Sequence, residues 1–154
     1  MVKEFKYSVS TANMEDVPEL AALAYKSYGE IGGNLPEPNT EAILTFFSSL
    51  IEDEIILIVR DQNRRIIGVL ALTTFNLWWS EEAVLNSAFF YIIPEFRKDN
   101  IARLLLESAK EYSNLNNVKL FIDIFTDLDL DKKEIFLKRE GFTKIGSIFS
   151  FSKE

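Results

Sequence analysis

Cysteine and histidine are both missing from this 154-residue chain. Their absence excludes disulfides, Cys/His zinc sites, thiol nucleophiles and His-based catalytic triads. Any acid–base chemistry falls to carboxylates, Tyr, Lys or a bound water, and no metal ligand set is expected. Long hydrophobic runs are also lacking: none reaches the roughly 18 residues of a membrane span. The opening MVKEFKYSVS has no apolar centre of the kind a secretion signal needs. The expectation is a cytoplasmic protein without a membrane partner. There is no internal repeat, linker or low-complexity tract, so residues 1–154 are read as one domain.

What is present is core-forming. The chain is 47% hydrophobic and 13% aromatic, with Phe used 13 times, which argues against disorder. Its length suffices to bury a sizeable core. A formal net charge of −7 and a pI near 4.8 argue against general nucleic-acid binding. An acidic surface suits a cationic substrate such as an amine, although many soluble proteins are equally acidic.

The stretch LNSAFFYIIPEFRKDNIARLLLESAKEY, Leu85 to Tyr112, organises the rest. Leu85 to Ile93 is nearly all apolar and reads as a strand covered on both faces. Pro94 has no N–H to donate and ends the ladder. Ile101, Leu105, Ala109 and Tyr112 then fall on one face of an amphipathic helix. Between them, Pro94 to Asp99 forms a turn. Arg97, Lys98 and Arg103 add positive charge where the unpaired N–H groups of a helix start already favour an anion.

The remaining chain reads in order as follows. FKYSVS (Phe5 to Ser10) is a strand, and Thr11 to Asn13 cap a helix reaching about Tyr28. GEIGGNLPEPN is a loop, and a second helix spans about Thr40 to Leu50. IILIVR (Ile55 to Arg60) and RIIGVLALTTF (Arg65 to Phe75) form a hairpin around DQNR. Gly68 inside that strand marks a bulge or a close backbone approach. NLWWSEEAV leads into the organising strand. VKLFIDIF is another buried strand, and Lys132 to Glu140 a short helix closed by Gly141. TKIGSIFSFS is a final strand. The order β-α-α-β-β-β-α-β-α-β implies a mixed α/β sheet with helices on its faces.

PEFRKDNIARLLLE resembles the acetyl-coenzyme-A loop of the GNAT superfamily of N-acetyltransferases. That pattern is Gln or Arg, two residues, Gly, one residue, then Gly or Ala, after a strand ending near Pro. Arg97, Asn100 and Ala102 take the three positions, with Asn100 in place of the usual Gly. Asn tolerates the left-handed region better than most side chains. IFLKREGFTKIGSIFSF resembles the family's closing helix, Gly-Phe turn and last strand, and the element order matches over essentially the whole chain. The resemblance implies a mostly antiparallel sheet of about six to seven strands with helices on both faces.

It further implies acetyl-coenzyme A as cofactor and direct acetyl transfer to an amine of a small molecule or protein. The cofactor would meet Ile92, Ile93, Arg97, Lys98, Asp99, Asn100, Ile101, Ala102 and Arg103. The N–H of Ile92 or Ile93 would polarise the reacting carbonyl. Phe136 would pack against the cofactor arm or the core. An alkylamine has a pKa of about 10.4, so a base must take its proton.

Asp123 is the first candidate base: a lone carboxylate in LFIDIF, whose pKa desolvation would raise. Its alternative is a strand-end carboxylate paired with Lys or Arg, or facing solvent. Glu82, with Glu81, is the next candidate, against a solvated loop. Asn86 and Ser87 are candidates to hold a water if the strand splays near them. The family often carries an Asn and a Tyr on its last helix, but the matching positions here are Leu130 and Leu137. The thiolate would then leave without that acid, or Tyr91 or Tyr112 would stand in as proton donor. Tyr28 and Glu30 correspond to the acceptor wall. Of Trp78 and Trp79, one is expected in the core, the other at the acceptor site or a homodimer contact. The rival reading is a GNAT-like domain without turnover, serving as an acyl-coenzyme-A sensor or interaction module.

Overall fold

The computed structural model describes residues 6–31, 35–126 and 128–151. Its core is a meander, β2 (Ile55–Arg60), β3 (Ile66–Asn76) and β4 (Ala83–Ile92), each strand antiparallel to the next. A short β1 (Val9–Thr11) pairs antiparallel with β2, and β5 (Lys119–Phe121) pairs parallel with β4. The order is β1-β2-β3-β4-β5. β2 and β3 consist of apolar, largely β-branched residues because both faces are covered, so almost every residue from Ile56 to Leu72 that lies in a strand is buried.

Helices occupy the two faces. On one side lie α1 (Val17–Ile31) and α2 (Thr40–Asp53); Phe47 of α2 meets Phe89 of β4 edge to face, ring centroids 5.6 Å apart. Asn13 begins the α1 segment with a reciprocal capping box, its side chain and that of Asp16 each accepting a backbone N–H. Asn39 caps α2 by accepting from the Ala42 N–H at 2.9 Å. On the other side α3 (Ile101–Asn116) buries Ile101, Leu105, Leu106 and Ala109. Gly68 permits that packing: a Cβ there would lie 2.6 Å from Ile101 Cγ2. The register also slips at Val59/Arg60, opposite Gly68, so both a bulge and a close approach occur.

α4 (Leu130–Arg139) ends as anticipated at Gly141, whose φ is +94°. Glu140, buried, accepts from Arg103 Nε at 3.0 Å and from Lys110, clamping the end of α4 to α3.

Five expectations need correction. The first strand, expected over Phe5 to Ser10, is Val9–Thr11, the three residues that pair with Leu57 to Val59 of β2; Phe5 lies outside the described residues. The sheet has five strands among the described residues, fewer than six to seven. The final strand anticipated over TKIGSIFSFS joins no sheet within residues 143–151, which are all exposed. The strand anticipated over VKLFIDIF is confined to Lys119–Phe121, because the chain parts from β4 after Phe121. Tyr112, placed with the inward face of α3, is more than a third exposed, because the buried face set by Leu105, Leu106 and Ala109 continues to the neighbouring Ser113 instead. No helix among the described residues is long and apolar enough to cross a membrane.

Candidate active site

β4 and β5 form a fork. Their parallel ladder runs Val84↔Lys119, Leu85↔Leu120, Asn86↔Phe121 and stops. At the branch point the buried Ser87 accepts the Asp123 N–H on Oγ at 2.8 Å. Beside it Asn86 Nδ2 donates to Asp123 Oδ2 at 2.9 Å. A bulge falls at the same level, since Ala71 faces Phe89 while Leu72 faces Ser87, leaving Ala88 unmatched. Beyond it, Phe89 to Ile92 remain paired with β3 but have, among the described residues, no strand on their other side.

Backbone groups alternate along an antiparallel strand. Ile93 N–H donates to the Ile67 carbonyl at 2.9 Å, toward β3. Ile92 and Phe90 therefore point their N–H and C=O groups into the open fork. This decides between two residues that sequence left equal: Ile92 has an available N–H there, and Ile93 does not.

The fork leads to the turn before α3. Pro94–Phe96 makes one 3-10 turn, and Asn100 takes the left-handed conformation, φ 61° and ψ 16°. The first backbone bond back into the helix start is Leu104 N–H to the Asn100 carbonyl, 3.1 Å. The N–H groups of Ile101, Ala102 and Arg103 precede it and meet no acceptor among the described residues; the Asn100 side chain does not cap them. Asn in place of Gly thus preserves both the turn and its free donors.

The charged side chains arrange themselves differently from the sequence expectation. Arg97 turns back from the helix start: its Nε donates to the Ile92 carbonyl at 3.0 Å and its Nη2 to Glu30 Oε2 at 2.9 Å. Its guanidinium also covers the Tyr91 ring at 5.5 Å. Arg103 is held by Glu140 and Asp99 by the Tyr7 hydroxyl at 3.0 Å. Lys98 stays exposed beside the helix start. Burial, reinforced by hydrogen bonding to Glu30, pushes the Tyr91 phenol up to about 12. Partial burial, with repulsion from Arg97, lowers the Lys133 ammonium on α4. Sequence reading passed over Lys133, because a lone Lys on a charged helix carries no local signal.

α1 reaches both prongs of the fork: Glu30 bonds Arg97 after β4, and the Ile31 carbonyl accepts from Thr126 Oγ1 at 3.3 Å beyond β5. Between α1 and α2 lies a mostly apolar cleft of about 340 Å³, lined by Tyr28, Ile31, Ile43, Phe46, Phe47 and Phe89. Tyr28 thus lines a cavity that reaches β4, while Glu30 is committed to Arg97. Gly32 and Gly33 lie outside the described residues.

Other candidates fall elsewhere. Asp123 is exposed rather than enclosed in an apolar strand, because β5 ends two residues before it. Glu81, Glu82, Trp78 and Trp79 occupy the β3–β4 tip. At about 3.3 Å per residue that tip is roughly 30 Å from Ile92. Glu82 there donates its N–H to Ser80 Oγ and is solvated, away from the fork. The two Trp side chains are 91% and 64% exposed and pack edge to face on each other. Neither is buried in the core or lines the cleft between α1 and α2. Phe136 packs against the core, as do Leu137 and Phe142. Among the described residues no group of three acidic side chains is placed to hold a metal.

No protein-family model and no curated protein matches the sequence. Solved structures do match the fold. An integron cassette protein from the mobile metagenome of Cole Harbour Salt Marsh superposes with a TM-score of 0.73 at 21% identity, covering 95% of this chain and 90% of that one. A predicted acetyltransferase from Clostridium acetobutylicum, in complex with acetyl-CoA, gives 0.74 at 16% identity over 95% and 96%. A GNAT family acetyltransferase from Staphylococcus aureus gives 0.66 at 17% identity over 97% and 100%. Helices on both faces of a mostly antiparallel sheet, a forked β4–β5 pair and full-length superposition together give this chain the fold of the GNAT acetyltransferases.

Proposed function

We propose that the chain is an N-acetyltransferase that moves an acetyl group from acetyl-coenzyme A to a primary amine by direct attack in a ternary complex. The observation that supports this reading is the fork: the outward N–H groups of Phe90 and Ile92 lead to N–H donors at the start of α3 that meet no acceptor among the described residues. A strand edge suits the amide-bearing arm of coenzyme A, and a helix start suits its pyrophosphate. When bound, acetyl-coenzyme A supplies an activated thioester.

The chain's own residues divide the work. The N–H groups of Ile101, Ala102 and Arg103 hold the anion, with Lys98 adding charge from solvent. Ile92 N–H donates to the reacting carbonyl oxygen and stabilises the charge that develops there. Asp123, oriented by Asn86 at the branch point, is the base nearest the fork. Five residues of β4, roughly 16 Å, separate that point from Ile92, so it takes the amine proton through a chain of waters along the cleft. Tyr91, whose phenol burial pushes up to about 12, is protonated at neutral pH and is the available phenol for the departing sulfur; Tyr112 stands some 16 Å along α3 from its start. The apolar cleft between α1 and α2 favours an acceptor whose amine is attached to a hydrophobic body.

A second reading, acyl-coenzyme-A binding without turnover, draws support from α4. Leu130 and Leu137 cannot give a proton, and the Arg97 and Arg103 guanidinium groups already have carboxylate partners. Calorimetry with acetyl-coenzyme A comes first; no heat at tens of micromolar would remove both readings. Thiol release across apolar and polar amines then divides them: turnover with any amine marks the enzyme, saturable binding without turnover the sensor.

A further inference from the structure

One lysine of α4 faces inward. Lys133, Phe136, Leu137 and Glu140 recur at three- and four-residue spacing, which puts them on one helical face. Phe136 and Leu137 pack against the core and Glu140 is buried, whereas Lys132, Lys138 and Arg139 are exposed. Lys133 is half-buried on that inner face. Among the described residues Lys132 pairs with Asp129 at 3.9 Å and Lys144 with Glu134 at 2.8 Å, but Lys133 enters no ion pair.

Both ends of α4 are anchored at the fork. The chain entering it is tied to α1 where Thr126 Oγ1 donates to the Ile31 carbonyl, and its far end is held to α3 by Glu140 and Arg103. Lys133, in the first turn, faces the Glu30–Arg97 pair on that side of the fork. Arg97 in turn grips the carbonyl of Ile92, at 3.0 Å, the residue whose N–H points into the fork. Partial burial, then repulsion from Arg97, lowers the Lys133 ammonium despite the attraction of Asp129 and Glu30. Desolvation and a neighbouring cation are the two conditions that turn a lysine from a solvated ion into a nucleophile.

We infer that Lys133 is a self-acetylation site, taking the acetyl group from acetyl-coenzyme A held in its own fork when no acceptor amine is present. The inference rests on the acetyl-coenzyme-A reading above and adds to it an internal acceptor. Lys133 Nζ, as the free amine on a flexible four-carbon stem, forms a bond to the acetyl carbonyl carbon while the C–S bond breaks. Coenzyme A departs as the thiolate and takes up the proton that the nitrogen sheds. An incoming alkylamine arrives as an ammonium ion and needs a base; Lys133 is spared that step. Its product is a neutral amide on a longer arm, which no longer repels Arg97 and stands in the fork, so acetylation slows transfer to external amines.

Peptide mass mapping after incubation with acetyl-coenzyme A, without amine, should find one acetyl group per chain, at Lys133. Lys132 and Lys138 should react at least about a hundredfold more slowly, since only Lys133 gains from a donor held beside it. The rate per chain at saturating acetyl-coenzyme A should not change on diluting the protein, and Lys133→Arg should abolish the modification. A footprint locates the residue without any transfer: coenzyme A lacking the acetyl group should shield Lys133, but neither Lys132 nor Lys138, from acetic anhydride. Acetylation spread evenly over these lysines, a rate that falls with dilution, or equal labelling of Lys133 with and without coenzyme A would each overturn the inference. Acetyl-coenzyme-A binding or amine turnover with Lys133 left unmodified overturns it alone and spares the parent reading, whereas absence of binding in calorimetry removes both. Should Lys133→Arg fail to fold, the dilution series and the footprint on the unaltered chain decide.

Discussion

Ser87 Oγ accepts the Asp123 N–H at 2.8 Å, one side chain bonding across two strands where they separate. Below this contact β4 and β5 are a parallel ladder; above it they are the two sides of a cleft. A buried hydroxyl at that level does what a ladder carbonyl would otherwise do, and it lets the ladder stop without orphaning an amide. Replacing it should therefore loosen the fork specifically. Ser87→Ala is expected to cost about 0.5–1.5 kcal/mol and to speed exchange of the Asp123 amide relative to those of β2 and β3. An Asp123 amide that exchanges no faster would show that the fork is held by other means.

Asp123→Asn keeps the Asn86 contact geometry but removes the base. Turnover with an accepted amine should fall by roughly 10²–10⁴ while acetyl-coenzyme-A affinity stays within about twofold. Unaltered turnover would retire Asp123 from catalysis.

Gly68 and Ile101 share a contact with no spare room. A methyl at position 68 would meet Ile101 Cγ2 at 2.6 Å, so Gly68→Ala should destabilise by about 1–3 kcal/mol in urea unfolding. Truncating its neighbour relieves the clash, and Gly68→Ala with Ile101→Ala should lose less than the sum of the single changes. Strict additivity would argue that the strain is released elsewhere.

Tyr91 offers a pH test. Its folded pKa, about 12, lies above the usual 10.0 because of burial and the Glu30 hydrogen bond. Raised in the folded state, it contributes stability that is fully present below pH 10 and lost as pH climbs from 10 to about 12. Tyrosinate absorbance should show one of five tyrosines ionising last, absent in Tyr91→Phe and shifted down in Glu30→Gln. Identical titration of Tyr91→Phe and the unaltered chain would contradict the assignment.

Asn100 tests the helix start. At φ 61° a Cβ is strained, so Asn100→Ala should lose about 1–2 kcal/mol, whereas Asn100→Gly should stay close to the unaltered chain in thermal melts. Acetyl-coenzyme-A affinity should be retained or improved in Asn100→Gly; a large loss there would place the Asn side chain itself in the site.

Much of this was legible one segment at a time. Ile55–Arg60 falls on its anticipated bounds, the Asn13 cap and the Gly141 stop are local chemistry, and Gly68 announced a close approach by lacking a side chain. The loop pattern around Arg97, Asn100 and Ala102 pointed to the helix start whose amides are indeed free. These features depend on neighbours within a few residues, which is all that periodicity and capping rules sense.

Other features needed the assembled chain. Whether Asp123 is buried depends on how far β5 runs beside β4, and that pairing spans more than thirty positions of sequence. Arg97 was read as a phosphate ligand, but Glu30, distant in sequence, claims its guanidinium. One of Trp78 and Trp79 is expected in the core from sequence, yet both lie exposed at the hairpin tip. TKIGSIFSFS has the composition of a strand and no strand beside it, because a β-strand, unlike a helix, takes its hydrogen bonds from another segment. Composition can prepare a segment for pairing; only three-dimensional proximity can supply the partner.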